Sequence, residues 1–281
     1  MQGWRSLVKR DRLKICWLRP TGVQKIEQIS LPALDLLCLK IMVNKMKNSK
    51  KKSSIKVTKS KARSNTKKKN KRARMAKSKI FNIPNYAQTY EFTSSAACAM
   101  MVLKYLKKNF QMKKEQEFEI WQDAINGSIW HGSRYGLAYA LAKRGVKPEI
   151  ISNAKGTEGY EKKLAVYEDI NLDTLTSSFN EIKKKVMDMK IKEQYGVSSI
   201  NAIKKILNSG KLPIVLVNAN VINMYMDPAP HWVVVKGYER NTFYINDPYS
   251  DSTLTIEAEL LKNALGFEGE HDMIVINTRK R

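Results

Sequence analysis

Cysteine is scarce in this chain. Cys16, Cys38 and Cys98 are scattered without CxxC spacing, which argues against a disulfide framework or a thiolate zinc site and suits a reducing compartment such as the cytoplasm. The three histidines, His131, His231 and His271, have no acidic neighbours at metal-ligand spacing, so no metal or other cofactor is expected. Long apolar runs are also missing. The most apolar stretch of the N-terminal region, "ISLPALDLLCLKIMV" at 29–43, is interrupted by Pro32, Asp35 and Lys40. It is too short to span a bilayer, and no small-residue cleavage site follows it. A short amphipathic helix is the expected form, with no transmembrane segment. Met42 and Met46 offer alternative starts for the working protein, which would leave 1–44 as an extension outside it.

Acidic residues are absent from 45–79, where 17 Lys and Arg fall among Ser, Thr and Asn, and aromatic residues are absent there as well. Mutual repulsion and the lack of apolar residues predict a disordered basic tail. Such a tail binds polyanions through counterion release, so nucleic acid or an anionic surface is an expected partner; without aromatics, stacking on single strands is not. A solvated, localising tail is the plainer alternative. Residues 1–44 carry a net of +5, which leaves +3 of the total +25 for 80–281. The charge belongs to the tail, and 80–281 reads as one nearly neutral globular domain.

Within that domain the hydrophobic period changes along the chain. Cys98, Met101, Val102, Tyr105 and Leu106 form a helical stripe that Thr93 or Ser94 can cap. Further helices are predicted over 115–125, 134–145, most of 158–195, and 199–210, with a strand at 146–152. The segments "LPIVLVNA", "HWVVVKGYE", "TFYINDP" and "DMIVINT" then read as strands, with "ERNT" as a hairpin turn. Helices first and an antiparallel sheet afterwards predict an α+β domain in which a helical half faces a β half across a cleft.

Two segments suggest chemistry. In "YAQTYEFTSSAACAMMVLKYL" (86–106), Gln88 stands six residues ahead of Ser94 at a predicted helix start. In "PHWVVVKGYERNTFYINDP" (230–248), His231 opens a strand and Asp247 follows the hairpin. Together, in this order and with "GSRYGLAYALAKRG" (132–145) between them, they resemble the motifs of papain-like cysteine peptidases of the bacteriocin-processing, double-glycine branch. The resemblance implies a papain-like fold over 80–281. It also implies roles: Gln88 as oxyanion donor, His231 as general base, Asp247 as the group that orients the imidazole, and position 94 as the nucleophile.

The departure falls at position 94, where the family's Cys-Gly is Ser94-Ser95. A thiolate at a helix N-terminus is stabilised by the helix dipole. A hydroxyl is not ionised at pH 7 and needs base assistance in the transition state, so turnover is expected to be impaired. Ser95 is expected to crowd a place where glycine permits close approach. Three readings follow: a peptidase-like shell that binds a peptide or extended segment, a slow Ser94–His231–Asp247 hydrolase or acyl transferase, and a nucleic-acid-associated factor acting through its tail. On residue type alone Ser94 is also an ordinary N-cap. Cys98 lies on the apolar stripe, so a core thiol is expected rather than a displaced nucleophile. His131 and His271 read as surface or structural, and Trp130, Trp232 and Tyr238 as core or cleft lining.

Overall fold

The computed structural model describes residues 78–125, 129–156, 160–167 and 170–278. The expectations for 1–44 and for the basic tail through residue 77 lie outside the described residues. Eight helices and eight strands make up the described part: β1 (Lys79–Ile80), α1 (Ser94–Leu106), α2 (Lys114–Ile125), α3 (Arg134–Lys143), β2 (Pro148–Ser152), α4 (Tyr160–Tyr167), α5 (Leu172–Asp188), β3 (Lys192–Tyr195), α6 (Ile200–Asn208), β4 (Lys211–Asn218), α7 (Ala219–Ile222), β5 (Pro230–Glu239), β6 (Thr242–Asn246), β7 (Thr253–Glu257), α8 (Ala258–Ala264) and β8 (Asp272–Asn277). The fold is α+β, with the main helices ahead of most of the sheet.

The strands form one sheet in the order β3-β2-β8-β4-β5-β6-β7, and β1 pairs with β5. Every pairing is antiparallel except β2 with β3, which is parallel. The sheet is therefore mixed at one edge. β3 is a strand that hydrophobic pattern does not reveal: all four residues of "KEQY" are exposed, and backbone pairing with β2 alone makes it a strand. At the centre, β4 is buried continuously from Leu212 to Val217. A central strand covered on both faces reads as an unbroken apolar run, as "LPIVLV" does.

Helix α1 is not amphipathic. Every residue from Ser94 to Leu103 is at most 3% exposed, so the predicted stripe is only one side of a helix buried all round. Each of its large apolar side chains stabilises the fold by roughly 1.5–3 kcal/mol through burial. Two close approaches fix its surroundings. β1 lies so near β5 that a Cβ on Gly237 would stand 2.4 Å from the Lys79 carbonyl oxygen, and this pairing places Lys79 in a strand, one residue before the predicted domain boundary. Against α1 itself, a Cβ on Gly132 would stand 2.2 Å from Ser95 Oγ. The side chain that Ser95 adds is thus accommodated by the lack of one at 132, inside the core.

A second buried construction ties the helical side to β8. Arg134, the first residue of α3, pairs through Nη1 with Glu270, with Glu161 at 3.4 Å and with Asp272 at 3.7 Å. Its Nη2 donates to the Gly156 carbonyl at 2.9 Å. All four ionisable side chains are at most 2% exposed. One guanidinium among three carboxyls cannot neutralise them all, and burial pushes Glu161 up to about 8 and Glu270 up to about 11, with Asp272 also raised.

Candidate active site

The chain folds so that α1 seals part of an open strand edge. β6 joins β5 only from Val234 onward. Before that point, at Trp232, α1 takes the place of a neighbouring strand. The Trp232 backbone N–H donates to Ser94 Oγ at 3.4 Å, and the Trp232 carbonyl accepts from Cys98 Sγ at 3.2 Å. Ser94 and Cys98 are one helical turn apart, so they reach the N–H and C=O of one strand residue. The Trp232 ring is buried and donates through Nε1 to the Gly132 carbonyl at 2.8 Å. Trp232 is thereby the point where α1, the segment before α3, and β5 are fastened together.

This fastening brings three of the four sequence-predicted site residues into one place. Ser94 opens α1 beside Trp232, and His231 is the neighbouring residue on β5. Pairing of Asn246 with Val234 carries Asp247, just past the end of β6, to within reach of His231 on the same side of the sheet. His231 Nε2 and Asp247 Oδ1 are 2.6 Å apart. Asp247 Oδ1 also accepts from the Tyr249 N–H at 2.9 Å, which holds the carboxylate in place. In the tautomer that donates Nε2–H to the carboxylate, Nδ1 carries the lone pair, the arrangement a general base requires. Ser94, His231 and Asp247 are each 3% exposed, so they sit at the floor of the helix–sheet junction. A cavity of about 560 Å³, lined among others by Ala87, Asn223, Asp247 and Tyr249, lies beside Asp247; Ser94 and His231 do not line it.

Gln88 is placed differently. Its backbone N–H donates to the Pro248 carbonyl at 2.7 Å, next to Asp247. The side-chain Nε2, however, donates to the carbonyls of Tyr90 (2.8 Å) and Glu91 (2.9 Å). Both amide protons are taken up within the Gln88 loop, so the group must release one before it can donate to an oxyanion. The helix end supplies other donors. Thr93 occupies the N-cap position of α1 but makes no side-chain cap, because its hydroxyl is hydrogen-bonded to Tyr90 and Glu117. The positive end of α1 is left without its usual hydroxyl partner at the position where an oxyanion or thiolate would gain from it.

Cys98 is a core thiol. It is completely buried, and burial, reinforced by the nearby Asp247 carboxylate, holds it well above the ordinary thiol range. It stays protonated and donates to the strand. Of the remaining candidates, Trp232 and Tyr238 are core, Trp130 is 49% exposed, and His271 Nδ1 lies 3.0 Å from Ser198 Oγ, a structural position. Sequence reasoning did not find Glu117 or the hub role of Trp232, since both depend on contacts between distant segments.

Among the described residues no cluster of His, Cys, Asp or Glu has metal-binding geometry, and no helix is long and apolar enough to cross a membrane. A crystal structure described as that of a candidate C39-like peptidase from Bacillus anthracis resembles the chain at 14% identity, covering 73% of this chain and 100% of the other, with a TM-score of 0.43. Residues 83–263 match the family model described as the Peptidase_C39 like family; the span holds Gln88, Ser94, His231 and Asp247, and the chain belongs to that family.

Proposed function

We propose that the domain over 80–281 keeps the frame of a peptidase site at Ser94, His231 and Asp247, with Gln88 alongside, but turns substrate over poorly. In this reading it acts by holding a peptide or extended protein segment in the cleft. The observation that carries the proposal is the His231–Asp247 pair at 2.6 Å, with His231 next in sequence to Trp232, whose N–H donates to Ser94 Oγ. The serine explains the loss of turnover, since a neutral hydroxyl needs its proton removed as it attacks, whereas a thiol would already be ionised by the imidazole. A reducing, cytoplasmic setting accords with the sparse cysteines.

The test is a peptide library presented to wild type and to Ser94→Ala. The proposal expects captured peptides to be recovered intact from both, with similar affinity. Steady cleavage by wild type that disappears in Ser94→Ala would support the slow serine hydrolase instead. Cleavage that survives Ser94→Ala would sink both readings.

The basic segment supports a separate proposal, that residues 45–79 attach the protein to nucleic acid or an anionic surface. Deleting 45–77 is expected to leave the domain folded and to remove most binding to RNA, DNA and anionic vesicles, together with its salt dependence. Binding that persists after the deletion at moderate salt would place the anion-binding surface on the domain.

A further inference from the structure

The segment from Tyr86 to Thr93 carries Gln88 and delivers the chain to Ser94, yet it has no regular secondary structure of its own. One buried side chain organises it. Among the described residues Glu117, on α2 and 1% exposed, accepts four hydrogen bonds, all from this segment. Tyr86 Oη donates to Oε2 at 2.9 Å and the Thr89 N–H to Oε1 at 2.9 Å. The hydroxyls of Thr89 and Thr93 donate to Oε2 and Oε1 respectively, each at 2.5 Å. All four partners are donors, the set that the two oxygens of a carboxylate accept. The opposite side of the segment is held by backbone and amide bonds to the turn after β6: Gln88 N–H to the Pro248 carbonyl, and Asn85 Nδ2 to the Ser250 carbonyl at 2.9 Å. The segment is thus stretched between α2 and the turn that bears Asp247.

The bond to Thr93 has a second consequence. A threonine at the N-cap position ordinarily bonds a first-turn N–H of its helix. Here Glu117, together with the Tyr90 backbone, draws that hydroxyl away, and Thr93 leaves the N-terminus of α1 without a side-chain cap beside whatever group occupies position 94. We propose that Glu117 is a positioning residue of the candidate site: it fixes the Gln88–Ser94 segment and keeps Thr93 from capping α1, so that the helix end is turned to the reacting group. The proposal rests on the reading of position 94 as a nucleophile seat. Glu117 touches no reacting atom and acts through Thr89 and Thr93.

Two measurements test it. In the Ser94→Cys background, alkylation by iodoacetamide is followed against pH with and without Glu117→Ala. The expected result is a rate at pH 6 at least tenfold lower and an inflection moved towards that of an ordinary thiol. Glu117→Gln should restore the rate to within about threefold, because its carbonyl oxygen still accepts from the Thr89 N–H and the hydroxyls can reverse to accept from its amide. In the otherwise wild-type chain, amide hydrogen exchange over 86–93 should quicken at least tenfold in Glu117→Ala, while α2 and α3 keep their protection. If Ser94→Cys is activated and Glu117→Ala leaves its profile unchanged, the positioning role is wrong. If exchange over 86–93 is unchanged, the clamp itself is wrong, whatever the introduced thiol does. A Ser94→Cys protein with no activated thiol, alongside a loosened segment in Glu117→Ala, would count against the site reading and overturn the positioning role with it, leaving only the clamp.

Discussion

Arg134→Met is expected to destabilise the domain by about 3–5 kcal/mol, the usual effect of removing one partner from a buried ionic group, which corresponds to a midpoint lower by about 10 °C for a domain of this size. Among the described residues the guanidinium is the cation paired with Glu161, Glu270 and Asp272, and methionine keeps the volume while deleting the charge. The cluster also fixes how stability depends on pH. Burial holds Glu161 near 8 and Glu270 near 11, whereas in the unfolded chain both lose their protons near pH 4.5. Folded protein therefore binds more protons than unfolded protein, and stability falls as pH rises towards and through the folded values. The slope is about 1.4 kcal/mol per pH unit for each proton retained. His271, whose folded-state pKa burial lowers, titrates mainly below pH 7 in both states and adds little to the slope between pH 7 and 8.5. Urea midpoints across that range should fall with pH in wild type. The slope should be shallower in Glu270→Gln, which mimics the protonated acid, and steeper in Arg134→Met, where the lost cation no longer favours ionisation. A flat midpoint in wild type would show that the carboxyls ionise inside the folded protein.

The second large effect concerns chemistry. Ser94→Cys is expected to raise peptide-bond cleavage over wild type by on the order of 100-fold or more, because the nucleophile then exists as a thiolate held by His231 rather than as a neutral hydroxyl. Adding His231→Ala should return the rate to the wild-type level, and Asp247→Ala should act in the same direction by releasing the imidazole. Cys98 cannot substitute for the missing thiol. Its sulfur is spent on the Trp232 carbonyl, and burial keeps it protonated. An increase in Ser94→Cys that survives His231→Ala would mean that the imidazole plays no part.

What could be read from the sequence follows from how each feature is encoded. Helix α1, the helices from 134 and from 199, and the strands β4, β5, β6 and β8 come from local signals, apolar period and β-branched runs; the caps made by Ser133 to Gly136 and by Ser199 to Ala202 emerge in the structure. The order of two motifs brought Ser94, His231 and Asp247 to notice. Missing were the elements defined only by partners far along the chain. β3 has no buried residue to mark it, and β1 exists because Gly237 lets a backbone approach. Thr93 looked like a cap, but a carboxylate 24 residues away claims its hydroxyl. The Arg134 cluster joins α3, α4 and β8 across up to 136 residues for a hydrogen-bonded pair, and no local pattern announces it. Gln88 was picked out by spacing, which says nothing of where its amide points.

If position 94 remains a nucleophile seat, the groups around it ionise a thiol placed there. The pH profile of iodoacetamide alkylation of Ser94→Cys tests this most directly, because the shape of the profile reports the ionisation of the sulfur even where burial slows every rate equally. An uncapped helix end and the His231–Asp247 pair should hold the thiol below the ordinary range, with substantial reactivity persisting from pH 8 down to about pH 6. In His231→Ala the profile should move back towards an inflection near pH 8.5, the value for a free cysteine. An inflection at or above that value in Ser94→Cys itself, indifferent to His231→Ala, would show that position 94 is no longer a nucleophile seat.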